Sequence, residues 1–151
     1  VKAKFAALAP EHAAGLSRVM TAMDPWRRLG FSADSLGRFL LKPDAALERT
    51  AILDDGRLIG ALAVRSPWLR GPYLELLAVF PEAQGRSIGR QAVTWACTRA
   101  KADGAANFWA CVSAFNTQAR GFYAHLGFAE TTALTDLIQP GEDEILLRKN
   151  L

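Results

Sequence analysis

Leu77-Ala78-Val79-Phe80-Pro81-Glu82-Ala83-Gln84-Gly85-Arg86-Ser87-Ile88-Gly89-Arg90 decides how this chain is read. An apolar strand stops at a proline, a short glycine-bearing loop follows, and a helical pattern begins at Ile88. Gly85 and Gly89 let the main chain turn tightly and come close to a ligand. The first N–H groups of a helix have no partners inside it, and together with the helix dipole they suit a pyrophosphate. Arg86 and Arg90 add charge within reach of a phosphate. An ordinary strand-to-helix turn that needs glycine only for its shape is equally compatible with these residues. Neither G-x-x-x-x-G-K-[ST] nor G-x-G-x-x-G occurs, which excludes a Walker loop and the dinucleotide fingerprint.

Further along, Asn116 and Tyr123 lie on one short predicted helix that ends at Gly127. Loop and helix together suggest an enzyme that holds a pyrophosphate-bearing cofactor and donates a proton near it.

The rest of the chain sets limits on this reading. Its 151 residues fit one domain spanning 1–151, large enough to bury roughly 70% of the surface its unfolded form exposes. The net charge of +3 is too small to argue for nucleic acid, and no block of five like charges occurs, although the sign favours an anionic cofactor. Cys97 and Cys111 make no CxxC pair and no disulfide framework, so no metal is expected. No run of eighteen apolar residues occurs, so no membrane span is expected, and a cytoplasmic location follows by default.

Periodicity and punctuation predict strands at Lys2–Leu8, Arg49–Leu53, Leu58–Arg65, Tyr73–Phe80, Asn107–Val112, Phe128–Leu134 and Glu144–Arg148. Helices are predicted from Pro10 to about Met20, from a Ser32 cap to about Leu41, over Ile88–Ala102 and over Asn116–Leu126. Asp55-Gly56 between apolar runs signals a hairpin. The natural packing is α/β, a mixed central sheet of about seven strands with helices on both faces.

Gln84-x-x-Ser87-x-Gly89 resembles the acyl-CoA signature of the GNAT acetyltransferase superfamily, Gln/Arg-x-x-Gly-x-Gly/Ala. Leu77–Glu82 resembles that family's fourth strand and its exit. Asn116, Ala119, Tyr123 and Gly127-Phe128 match its second motif, N-x-x-A-x-x-x-Y-x-x-x-G-F. Ser87 departs from the pattern, standing where glycine is usual. Serine is strained there if φ is positive and harmless if φ is negative.

The resemblance implies splayed fourth and fifth strands, with the pantetheine arm of acetyl-CoA pairing like an added strand along Leu77, Ala78 and Val79. It implies that Gln84, Gly85, Arg86, Ser87, Ile88, Gly89 and Arg90 hold the diphosphate and that Asn116 lies at the cofactor or caps its own helix. Tyr123 would protonate the departing thiolate, a transfer between groups whose ordinary pKa values differ by about 1.5. The competing role for Tyr123 is packing, with Phe122 the more natural core residue.

Glu75 is the candidate base for the acceptor amine, because alternation puts it on one face with Tyr73, Leu77 and Val79. Tyr73 is a weaker alternative. An arginine-paired or solvent-facing glutamate explains Glu75 equally. His12 and His125 read as surface residues, Cys111 as a small buried hydrophobe, and Glu142-Asp143-Glu144 as a solvated acidic turn.

In the family, two loops wall the acceptor. Here they carry Trp26 and Arg27, and Trp68 and Arg70. Asp24 would suit a cationic acceptor; Arg27, Arg28 or Arg70 would suit an anionic one. The expected activity is acetyl transfer from acetyl-CoA to a primary amine by direct attack in a ternary complex. The alternative is a CoA-binding or sensing module on the same fold without efficient transfer. The amine is a small molecule or a peptide, and dimers are common in the family, which leaves a homodimer open.

Overall fold

In a computed structural model, which describes residues 1–151, the chain runs β1 (Lys4–Ala7), α1 (His12–Thr21), α2 (Ala33–Leu41), β2 (Leu47–Asp54), β3 (Arg57–Arg65) and β4 (Tyr73–Val79). A single 3₁₀ turn at Pro81–Ala83 follows, then α3 (Ile88–Ala102), β5 (Asn107–Ser113), α4 (Thr117–His125), β6 (Ala129–Gln139) and β7 (Glu142–Asn150). The strands form one seven-stranded sheet in the order β1-β2-β3-β4-β5-β7-β6, antiparallel except where β4 meets β5. No helix is long and apolar enough to cross a membrane.

Local chemistry sets the boundaries. Asp55 and Gly56 take positive φ (48° and 79°), as a two-residue hairpin turn requires. The Ser35 N–H donates to Ser32 Oγ at 3.0 Å, capping α2, and the Ala119 N–H donates to Asn116 Oδ1 at 3.1 Å, capping α4.

Two cores flank the sheet. The larger joins α3 and α4 to β2–β5 and β7 through Ile59, Leu62, Leu74, Ile88, Val93, Phe108 and Leu147. The smaller joins α1 and α2 to β2–β4 through Leu16, Met20, Leu36, Leu40, Leu76 and Ala78. No residue of β5, β6 or β7 belongs to the smaller core, so α1 and α2 do not pack on that half of their sheet face.

The centre of the sheet departs from simple alternation. Leu74 lies opposite Val64 and Leu76 opposite Ala63, which leaves Glu75 as an extra residue in β4. Such a bulge bends its strand and raises its twist. Pairing of β4 with β5 is limited to Tyr73–Trp109 and Leu74–Ala110, whereas β5 pairs with β7 from Asn107 through Ser113. Beyond Leu74 the two parallel strands diverge and a V-shaped gap opens. The bulge also shifts the strand's facing: Leu74 enters the core beneath α3, and Leu76 the core beneath α1 and α2. The alternation that would put Glu75 on one face with Leu77 and Val79 is therefore broken at Glu75 itself.

A second correction concerns the last hairpin. The turn is confined to Pro140-Gly141, and Glu142–Glu144 begin β7 instead of forming a solvated loop. Within β6, Asp136 takes a positive φ (55°), and its carboxylate accepts the Gly141 N–H at 2.8 Å. This side-chain bond tightens the turn and carries both strands further than their apolar runs suggest.

Candidate active site

The open edge of β4 follows from its register. The Phe80 N–H donates to the Ile59 carbonyl at 2.8 Å while Gly60 stands opposite Val79. In an antiparallel ladder that arrangement commits the main-chain groups of Ala78 to β3 and turns those of Leu77 and Val79 the other way. There β5 has already departed, so they face the gap. Gln84 Nε2 donates to the Val79 carbonyl at 3.0 Å, leaving the Leu77 N–H, the Leu77 carbonyl and the Val79 N–H without protein partners. Ala78, expected alongside them, is buried with its backbone directed at β3.

Past the 3₁₀ turn, the N–H groups of residues 85–90 donate to no protein acceptor. The Gln84 N–H reaches Pro81, and the next helical bond is from Gln91 to Ser87. Gly85 (φ 75°) and Ser87 (φ 62°, ψ 16°) are left-handed, which gathers successive N–H groups into a concave anion nest. The positive φ resolves the question raised by Ser87: serine here is strained, by roughly 1–2 kcal/mol. Ile88 is fully buried and anchors the start of α3. Arg86 is tied to Asp54 at 2.8 Å, and Arg90 is exposed with no ion-pair partner. A Cβ on Gly89 would lie 3.2 Å from the Phe122 ring, so glycine lets α4 pack closely on the start of α3.

That contact positions Tyr123. Its ring is buried, edge-on to Phe122 (5.0 Å between centroids) and to Phe128 (5.3 Å). The expected assignment is reversed here: Tyr123 is the buried aromatic of α4, and Phe122 is the partly buried one lying on Gly89. No protein group hydrogen-bonds the Tyr123 hydroxyl. Burial, and secondly the neighbouring Cys111, holds its phenol above the ordinary range. Burial likewise pushes the Cys111 thiol up, so it stays protonated and makes a poor nucleophile. Tyr73 is raised by burial and by Cys111, and its ring stacks on Trp68 at 4.8 Å.

Glu75 is committed to a different partner. Arg65 Nη2 contacts Glu75 Oε2 and Asp44 Oδ2, both at 3.0 Å, clamping β3 and β4 to the segment after α2. Asn116 is accounted for by its cap. His125 is exposed, its Nδ1 2.8 Å from the Gly121 carbonyl, whereas His12 is half-buried with an unpartnered Nδ1.

Of the acceptor-wall candidates, Trp68 stacks on Tyr73 and lies edge-on to Trp109, at the end where β4 and β5 still pair. Trp26 packs against the core beneath α1 and α2. Arg27 pairs with Asp24 at 3.3 Å, and Arg28 pairs with Glu142 at 3.1 Å while lying over the Phe115 ring. Arg70 lines a separate groove with Trp95 and Arg99 of α3. Sequence reasoning missed Glu144, which is buried beside this region. The signal was present in Glu144-Ile145-Leu146-Leu147: if Ile145 and Leu147 face the core, Glu144 shares the opposite face with Leu146.

Comparison with known proteins agrees with this architecture. A structure from Desulfovibrio desulfuricans, a GNAT-family acetyltransferase by its description, superposes with a TM-score of 0.81 at 19% identity over 99% of both chains. The ribosomal-protein-S18-alanine N-acetyltransferase of Escherichia coli gives 0.78 at 19% identity, over 99% of this chain and 94% of that one. The PaiA N-acetyltransferase of Thermoplasma acidophilum, solved with coenzyme A, gives 0.76 at 20% identity over the whole of both chains. At these identities the likeness is one of fold. Among curated proteins none matches in sequence. The model of the acetyltransferase (GNAT) family matches residues 16–128, from α1 through the end of α4, and by that match over most of its length the chain belongs to the GNAT acetyltransferases.

Proposed function

We propose that this protein transfers the acetyl group of acetyl-CoA to a primary amine by direct attack in a ternary complex. One observation carries the reading. Six unpaired N–H groups at residues 85–90 continue into an unpaired β4 edge at Leu77 and Val79. In this reading the gap leads to Tyr123, which neighbours Cys111 of β5. A diphosphate on the nest and an extended amide-bearing arm along β4 would satisfy both sets of groups. The coenzyme A held by the Thermoplasma acidophilum relative supports this ligand, and the alanine N-acetylation named for the Escherichia coli relative supports an amine acceptor.

The coenzyme supplies the activated acyl group; the chain supplies its placement and a proton. Gln84 orients the loop by holding the Val79 carbonyl, Arg90 adds charge at the nest, and Tyr123 holds the proton that the departing sulfur takes. Burial raises the phenol, which alone would weaken it as an acid. The Cys111 thiol is raised in the same surroundings, and burial would raise the departing thiol in the same direction. Glu75, held by Arg65, which Asp44 also binds, serves as a clamp at the bulge in this reading, not as the base.

The test is release of free CoA from acetyl-CoA across a panel of amines, with ATP as a competing anion. Turnover with at least one amine, and binding of acetyl-CoA unaffected by millimolar ATP, is the expected outcome. Binding of ATP in preference to acetyl-CoA would overturn it.

A further inference from the structure

Phe108, Ala110 and Val112 of β5 and Leu147 of β7 face the core beneath α3 and α4. Alternation turns Trp109, Cys111, Ser113, Glu144 and Leu146 to the opposite face, outside the core that α1 and α2 form. On this face Glu144 is only 7% exposed, and its Oε2 has no hydrogen-bond partner. Ser113 stands opposite it across the β5–β7 ladder, and its Oγ is also without a well-formed bond. A buried carboxylate oxygen without a donor is costly unless a ligand supplies one.

The surroundings indicate which ligand. Glu142, on the same strand, is neutralised by Arg28 of the α1–α2 connection. Arg27 is taken by Asp24, and Arg65 by Glu75 and Asp44. Tyr73 of β4 and Cys111 and Ser113 of β5, the other polar groups near Glu144, are uncharged. Around Glu144 the unmatched charge is therefore negative, whereas Arg148, the unpaired arginine of this face, stands at the other end of the ladder opposite Trp109 and is bonded to Asn107. Trp68, stacked on Tyr73, adds an aromatic ring, a setting that favours a cation.

We propose that Glu144 anchors the acceptor: its carboxylate binds the ammonium group of a cationic amine at the β5–β7 face, and amines that carry their own carboxylate are rejected. This rests on the acetyl-transfer reading and names its substrate class. The site selects by charge, since a carboxylate on the acceptor would meet Glu144, while the unpaired Arg148 lies four residues further along β7 over the Trp109 ring.

The experiment is calorimetric titration of the CoA-saturated protein with 1,4-diaminobutane, n-butylamine and β-alanine, using wild type, Glu144→Gln and Glu144→Asp. Wild type should bind the first two at least about tenfold more tightly than β-alanine, and Glu144→Gln should lose about tenfold or more for both. Glu144→Asp should keep the preference. Equal affinity of wild type for n-butylamine and β-alanine overturns the proposal without any variant. So does Glu144→Gln binding the amines as tightly as wild type. CoA affinity, measured first, reports folding of each variant and separates the two readings: wild type failing to bind CoA sinks the acetyl-transfer reading, whereas intact CoA binding with no amine preference sinks only this one.

Discussion

Replacing Tyr123 with phenylalanine removes one oxygen from a buried ring and leaves the rest of its surroundings in place. The ring keeps its edge-on contacts with Phe122 and Phe128, at 5.0 and 5.3 Å. The hydroxyl has no protein hydrogen-bond partner, so its loss orphans no donor or acceptor. The structural cost should therefore stay within about 0.5 kcal/mol. The nest at residues 85–90 and the β4 edge are untouched, so acetyl-CoA affinity should hold within about twofold. Catalysis is where the change should register. A positioned proton donor contributes roughly 10²- to 10⁴-fold, about 2.7–5.5 kcal/mol of barrier, and its loss should appear in kcat with little change in KM for acetyl-CoA.

Continuous assay of thiol release, with CoA affinity and thermal melting measured on the same preparation, separates these quantities. The alkaline limb gives an independent check. Because burial holds the Tyr123 phenol above its ordinary value, the donor keeps its proton past pH 10, and wild-type kcat should show no loss from its ionisation below that pH. A variant retaining more than a third of wild-type kcat would refute the role of Tyr123. Equal losses of kcat and CoA affinity would show that the ring had moved and that placement, not proton donation, was lost.

Three other outcomes follow from the same geometry. Ser87→Gly relieves a left-handed serine and should stabilise the fold by about 0.5–1 kcal/mol, a rise of roughly 1–4 °C in Tm, without weakening CoA binding; a lower Tm would contradict the strain. Glu75→Gln should lower the Tm but keep kcat within about threefold, since Arg65 already engages the carboxylate; a hundredfold fall in kcat would restore Glu75 as the base. Glu144→Gln should stabilise the protein at pH 8 and lose that advantage near pH 4, read from urea midpoints. Burial raises the Glu144 carboxyl, so the folded state holds the proton more tightly than the unfolded chain, and wild-type stability falls as pH rises through the raised value. A gap that widened on acidification would reverse the sign and exclude a buried, unpaired carboxylate.

What the sequence disclosed and what it withheld divide along physical lines. Helix α3 was read with both its ends, because the glycine-bearing loop opens it and Asp103-Gly104 closes it, with Gly104 at φ 89°. The β2–β3 hairpin was legible from Asp55-Gly56. The bulge at Glu75 was not, because a bulge is a mismatch in count between two strands and neither strand shows it alone. Glu144 was misjudged because Glu142-Asp143-Glu144 follows Pro140-Gly141 and looks like one polar turn. Its burial depends on Ser113 across the ladder and on Arg28 engaging Glu142, contacts 31 and 114 residues away in the chain. The sign of φ at Ser87 could not be read either, since serine occupies both regions and the turn decides.

Several of the places where local rules fail lie around one gap. Ser87 is left-handed, Glu75 is a bulge, Glu144 is buried without a donor, and Tyr123 presents an unbonded hydroxyl from a buried ring. Most caps and turns elsewhere agree with the fold, Asp136 at the last hairpin being an exception, and strain gathered at the gap is the pattern expected where a ligand can relieve it. The gap is also held together mechanically. Phe122 sits in the space that a side chain on Gly89 would take, and it is the neighbour of Tyr123. The anion nest and the proton donor are thus fixed relative to each other by a packing contact between α3 and α4, independent of the 32 residues of chain between Gly89 and Phe122. A larger residue at Gly89 would push α4 away and carry the Tyr123 hydroxyl with it. Gly89→Val should therefore lower kcat at saturating acetyl-CoA as well as weaken CoA binding, and a variant that weakened binding alone would show that the two helices do not move together.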